Sequence, residues 1–65
     1  MTDTYWRIAA DVCTDAELQA LTLRARGLGT RRIALALRIA RSSVRERLDN
    51  ADRKITSALA KEPAA

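Results

Sequence analysis

Apolar residues recur along this chain at helical spacing almost from end to end. The most regular stripe is Val44, Leu48, Ala51 and Ile55, at intervals of 4, 3 and 4, which Ala58 and Leu59 can extend. It predicts a helix from near Arg41 to about Ala60, roughly 20 residues and about 30 Å long. Leu18, Leu21, Ala25 and Leu28 fall at intervals of 3, 4 and 3 and predict an amphipathic helix earlier in the chain. Its start is marked by Thr14-Asp15-Ala16-Glu17, a capping box in which the Thr14 side chain accepts from the amide of Glu17 and Glu17 reaches back to the amide of Thr14. Gly27 stands where a left-handed residue would end that helix. Two shorter segments complete the pattern. One runs from Thr4, with Thr4 or Asp3 as its cap, to about Val12, and puts Tyr5, Ile8, Ala9 and Val12 on one face. The other, from about Thr30 to Leu37, turns Ile33, Ala34 and Leu37 inward. Arg38, Ile39 and Ala40 then form a three-residue connection with Ile39 as an apolar plug. The last helix is long for so short a chain, so the N-terminal segment, with Trp6 as its largest side chain, is expected to pack over Ile55, Ala58 and Leu59, within one chain or across a two-fold dimer.

With 65 residues the chain has room for one small domain, which buries only about 60% of the surface its unfolded form exposes. Hydrophobic residues make up 48% of the sequence but aromatics only 3%, so the core must be built from Leu, Ile, Val and Ala. The expected fold is all-α, a small bundle of three to four helices containing a helix-turn-helix. Residues 1–12 form an N-terminal helix or arm, 13–60 the helical core and 61–65 a frayed tail. Histidine is absent and Cys13 is the only cysteine. An internal disulfide, a Cys/His zinc site and every histidine-dependent catalytic arrangement are therefore excluded. Cys13, beside a helix cap, reads as a small half-buried residue rather than a reactive thiol. No apolar run approaches the roughly 18 residues of a membrane span, and Asp3 sits where a secretory signal would be basic. The expectation is a soluble cytoplasmic protein that is not an enzyme and uses no cofactor and no metal.

Charge changes the picture most. The net charge is +4, but its distribution is uneven. Residues 1–23 set Arg7 against Asp3, Asp11, Asp15 and Glu17, a net of −3. Residues 24–47 set Arg24, Arg26, Arg31, Arg32, Arg38, Arg41, Arg45 and Arg47 against Glu46 alone, a net of +7. The remainder is neutral. Ten of the twelve basic residues are arginine, whose planar fork matches phosphate and guanine edges better than a lysine ammonium does. A basic block of this kind points to nucleic acid.

A short helix, a three-residue turn with an apolar plug and a second helix in an arginine-rich block describe a helix-turn-helix. The run from Thr14-Asp15-Ala16-Glu17 through Gly27-Leu28-Gly29, Ile33-Ala34 and Leu37-Arg38-Ile39 resembles LuxR-type and sigma factor region 4 DNA-binding domains. Val44-Arg45-Glu46-Arg47-Leu48, followed by Ala51 and Lys54-Ile55, is closer to sigma region 4. The resemblance is ungapped from about Val12 to Ile55. It departs from the family pattern at three turn positions. Arg38 stands where glycine is usual because the backbone favours a positive φ there. Ala40 stands where a Ser or Thr commonly caps the recognition helix, leaving Ser42 or Ser43 to do part of that work, and Gly29 replaces the polar cap of the preceding helix. Nothing like the dimer-forming fourth helix of LuxR-type domains follows Ile55.

With its apolar stripe inward, the last helix turns Ser42, Ser43, Arg45 and Glu46 toward a major groove, with Asn50 a further candidate. Arg45 is suited to fork onto guanine and Glu46 to accept from a cytosine amino group. Arg31, Arg32, Arg41, Arg47 and Arg53 are assigned to phosphates, which position a protein without reading sequence. Asp49 would repel DNA unless paired with Arg45 or Arg53, while Arg53 and Lys54 have Asp49 and Asp52 as local partners. Arg24 and Arg26 suit the C-terminal end of their helix. Together these readings give a sequence-specific double-stranded DNA-binding module, a small transcriptional regulator whose resemblance implies bacterial or phage origin. The alternative is a protein-interaction module that binds RNA polymerase or another regulator through the same scaffold. A homodimer on two half-sites would supply the affinity that one such unit lacks.

Overall fold

The computed structural model of the chain describes residues 2–61, and all regular structure among them is helical. Four helices follow one another: α1 (Thr2–Val12), α2 (Asp15–Ala25), α3 (Thr30–Leu37) and α4 (Arg41–Lys61). The all-α class and the four elements match the expectation. α1 starts two residues earlier than its spacing suggested, and α4 is still helical at Lys61, the first residue of the expected frayed tail. The rest of that tail, residues 62–65, lies outside the described residues.

α1, α2 and α3 each pack on α4, and α2 and α3 also pack on each other. The 21 residues of α4 make about 30 Å of helix, and the molecule measures 39 Å along its long axis against 19 and 16 Å across. Its apolar stripe, Val44, Leu48, Ala51 and Ile55, is buried along its whole length. Ile8 and Ala9 of α1, Ala20 and Leu21 of α2, and Ile33 and Ala34 of α3 close the core around it. Ala9, Ala20 and Ala51 are wholly inaccessible, so the core is made of small and branched aliphatic side chains. Tyr5 and Trp6 are half-buried at the rim. Their rings meet edge to face, with centroids 5.3 Å apart and planes at 86°. Coverage of α4 reaches Ile55 fully and Ala58 in part, but Leu59 keeps 43% of its surface exposed.

The expected stripe of α2 is corrected. Leu21 is buried, but Ala25 is exposed and Leu18 and Leu28 are half-buried. The face turned to α4 is instead Glu17, Ala20, Leu21 and Arg24. Lys54 Nζ lies 2.9 Å from Glu17 Oε1, and Arg24 Nη2 lies 2.8 Å from Asp52 Oδ1. An ion pair thus brackets each end of the contact.

Both ends of α2 carry a recognisable cap. Thr14 N–H donates to Glu17 Oε1 at 2.9 Å, and Glu17 N–H donates to Thr14 Oγ1 at 3.2 Å, the reciprocal capping box. At the other end Gly27 has φ +95°. Its amide donates to Arg24 O and that of Leu28 to Leu23 O, the paired bonds of a Schellman turn. α3 closes by the same device. Arg38 has φ 57° and ψ 47°, with amide bonds from Arg38 to Leu35 O and from Ile39 to Ala34 O. Ile39 tucks half-buried against the core. The turn therefore demands the left-handed backbone that glycine tolerates best, and an arginine supplies it.

Candidate nucleic-acid interface

α3 and α4 both begin without a side-chain cap. Gly29 precedes α3 in an extended conformation and has no side chain to offer. Ala40 precedes α4, and its carbonyl accepts from the amides of Ser43 at 3.0 Å and Val44 at 3.2 Å. Among the described residues neither Ser42 nor Ser43 makes a side-chain hydrogen bond, so the capping role considered for them is not filled. The three-residue turn brings these two uncapped ends together. Thr30 and Arg31 of α3 and Arg41, Ser42 and Arg45 of α4 line one shallow concave surface. Two helix N-termini carry partial positive charge there, and three guanidinium groups surround them. The hollow suits an anion with several oxygens.

Of the residues assigned from the sequence, Arg31, Arg41, Ser42 and Arg45 meet at this surface. Glu46 is exposed one turn beyond Ser42, and Arg32 is exposed on α3 outside the hollow. Ser43, Arg47 and Asn50 share a different row of α4, together with Lys54, and are half-buried. Asn50, Lys54, Ala58 and Val12 line a separate cleft between α1 and α4, so Asn50 does not join the arginines. Arg53 lies twelve positions past Arg41, about 18 Å along the helix, and its guanidinium donates to Asn50 Oδ1.

The local pairings expected for these charges are replaced by others. Lys54 reaches across to Glu17 and Asp52 to Arg24, while Asp49 is in no salt bridge among the described residues. Arg24 is thereby removed from the basic surface and becomes a tie between α2 and α4. These two contacts were not foreseen from the sequence. Their partners lie 37 and 28 positions apart, beyond any local pattern. Leu35, 72% exposed on α3, was also missed. Its position opposite Ile33, Ala34 and Leu37 was a usable signal.

Protonation follows the pairings. The hydrogen bond from Lys54, then that from the Thr14 amide, holds the Glu17 carboxyl below the usual carboxylate range against the cost of its burial. The hydrogen bond from Arg24 lowers Asp52 in the same way. Burial, then the negative charge of Glu17, pushes the Cys13 thiol up, which disfavours its reactive thiolate. No group of three or more Cys, Asp or Glu side chains that could hold a metal ion occurs among the described residues, and no described helix is long and apolar enough to cross a membrane. No protein-family model, curated protein or solved structure matches this chain.

Proposed function

We propose that this chain is a sequence-specific double-stranded DNA-binding module, a small transcriptional regulator in which α3, the turn and α4 act as a helix-turn-helix. One observation carries the reading: Arg31, Arg41, Ser42 and Arg45 converge from two successive helices on one surface at two uncapped N-termini. In this arrangement α4 enters the major groove by its N-terminal half. Arg45 and Ser42 face base edges, and Glu46 one turn on accepts from a cytosine amino group. Arg31 and Arg41, with the free first-turn amides, hold phosphates on either side of the groove. The proposed function is consistent with the resemblance to sigma region 4 and LuxR-type domains in the stretch from about Val12 to Ile55.

A salt titration on a short duplex tests it. Neutralising four to six phosphates gives a log K against log salt slope of about −4 to −5. Affinity that does not change between about 50 and 200 mM salt overturns the DNA reading and leaves the interaction module with polymerase or another regulator as partner. Selection from a random duplex pool then tests specificity. One enriched motif supports base readout by α4, and no enrichment removes it.

A further inference from the structure

The face of α2 turned away from α4 carries Asp15, Leu18, Gln19, Thr22, Leu23 and Arg26, spaced as one helical stripe. With Leu37 of α3 these residues line an open hollow of about 520 Å³. Leu18, Leu23 and Leu37 are only half-buried. The stripe is palindromic in its chemistry. Reflected about the point between positions 20 and 21, Asp15 falls opposite Arg26, Leu18 opposite Leu23, and Gln19 opposite Thr22. Thr22 strengthens the match. Its hydroxyl donates to Leu18 O at 2.8 Å, so its hydrogen-bonding need is met inside the helix and its methyl group is left for contact.

We infer that the occupant of this face is a second copy of the chain, with the two α2 helices antiparallel across a two-fold axis that passes between positions 20 and 21. Such an interface is isologous: each contact is made twice. Asp15 of each copy meets Arg26 of the other at the two ends, and leucines meet leucines between them. A stripe with one carboxylate and one guanidinium is neutral, so two chains of net charge +4 meet on a surface that does not share their repulsion. None of these residues lines the concave surface formed by α3 and α4, so the dimer leaves both arginine surfaces free. α2 has 11 residues, about 16 Å of helix. That is too short for the roughly 800 Å² per partner of a standard interface. The dimer is therefore weak and concentration-dependent.

Sedimentation equilibrium on the full chain, without DNA, tests the inference. The wild-type protein is expected to dimerise with a Kd below about 1 mM; a monomer throughout that range overturns the proposal. Asp15→Arg sets arginine against Arg26 at both ends, and Arg26→Asp sets aspartate against Asp15. Each alone should associate at least about tenfold more weakly, since facing like charges are strongly disfavoured. An equimolar mixture of the two variants should recover the wild-type association, because every end contact is again a complementary pair. Variants that dimerise as well as the wild type, or a mixture that stays monomeric while both chains keep their helical circular dichroism, sink the two-fold pairing. Thr22→Arg is the control for folding. It changes an exposed position to a better helix former and places two arginines beside the axis, so it should abolish the dimer without lowering the melting temperature. Retention of the dimer in this variant also overturns the proposal.

Discussion

α2 and the α3–turn–α4 unit are built from the same elements and finished differently. α2 has a complete capping box at one end and a glycine Schellman turn at the other. In the second unit, α3 starts behind Gly29, its left-handed closing residue is Arg38, and α4 starts behind Ala40. Each of these three positions falls short of what helix-end chemistry would choose. Glycine at a start gives no side-chain acceptor, arginine at positive φ costs about 1 kcal/mol or more, and alanine at a cap forgoes about 1 kcal/mol. Gly29 and Ala40 directly precede the helix starts that carry Arg31, Arg41, Ser42 and Arg45, while Arg38 closes the other end of α3. α2 has a reciprocal side-chain cap at its start; α3 and α4 start without one.

Five experiments break or sharpen this contrast. The largest effect is expected at Glu17, which is 6% exposed and joins the cap to the ion pair with Lys54. Glu17→Ala removes a cap and a charged hydrogen bond, which together should cost about 2–3 kcal/mol in urea unfolding. Duplex affinity, measured where the variant is still folded, should not change. The pH dependence has a definite sign. Glu17 and Asp52 have lowered pKa values when folded, so the stability they contribute is present at neutral pH and is lost as pH falls through the carboxylate range. An acid limb that is as steep in Glu17→Gln as in the wild type would show that this end of α2 is not the acid-sensitive one.

Next in size is Arg45→Ala, expected to weaken the best duplex site by about 1–3 kcal/mol and relax preference at one base pair. Arg31→Ala should instead weaken all duplexes alike and make the salt slope shallower by about one. Unchanged preference in both variants would mean that the N-terminal half of α4 does not read bases. Arg38→Gly relieves the left-handed strain and should raise stability by about 1 kcal/mol, detectable as a higher melting temperature. A lower one would mean that the arginine side chain stabilises this turn by more than its backbone strain costs. The smallest effect is expected for Ala40→Ser, which restores a cap to α4. It should stabilise the fold by about 0.5–1 kcal/mol and lower duplex affinity by a similar amount, because the serine hydroxyl then competes with phosphate for the first-turn amides. Equal affinity in wild type and variant would separate the uncapped end from anion binding.

The amino-acid sequence by itself determined the helices and how they end. The capping box at Thr14 and Glu17, the left-handed positions of Gly27 and Arg38, and the stripe from Val44 to Ile55 are all signals that act over three to five residues, and the backbone follows them. The sequence also confined the excess positive charge to residues 24–47. Only the tertiary structure decided which charges face outward together. Arg24 lies in that basic block yet is turned to Asp52, Lys54 passes over its near neighbours for Glu17, and Asn50 is held by Arg53 beside α1 rather than beside Arg45. An ion pair across two helices depends on where α2 settles on α4, around a core in which Ala20 and Ala51 are wholly buried. Helix periodicity sets a side chain's direction about its own axis, but its neighbours are set by the packing of the other helices.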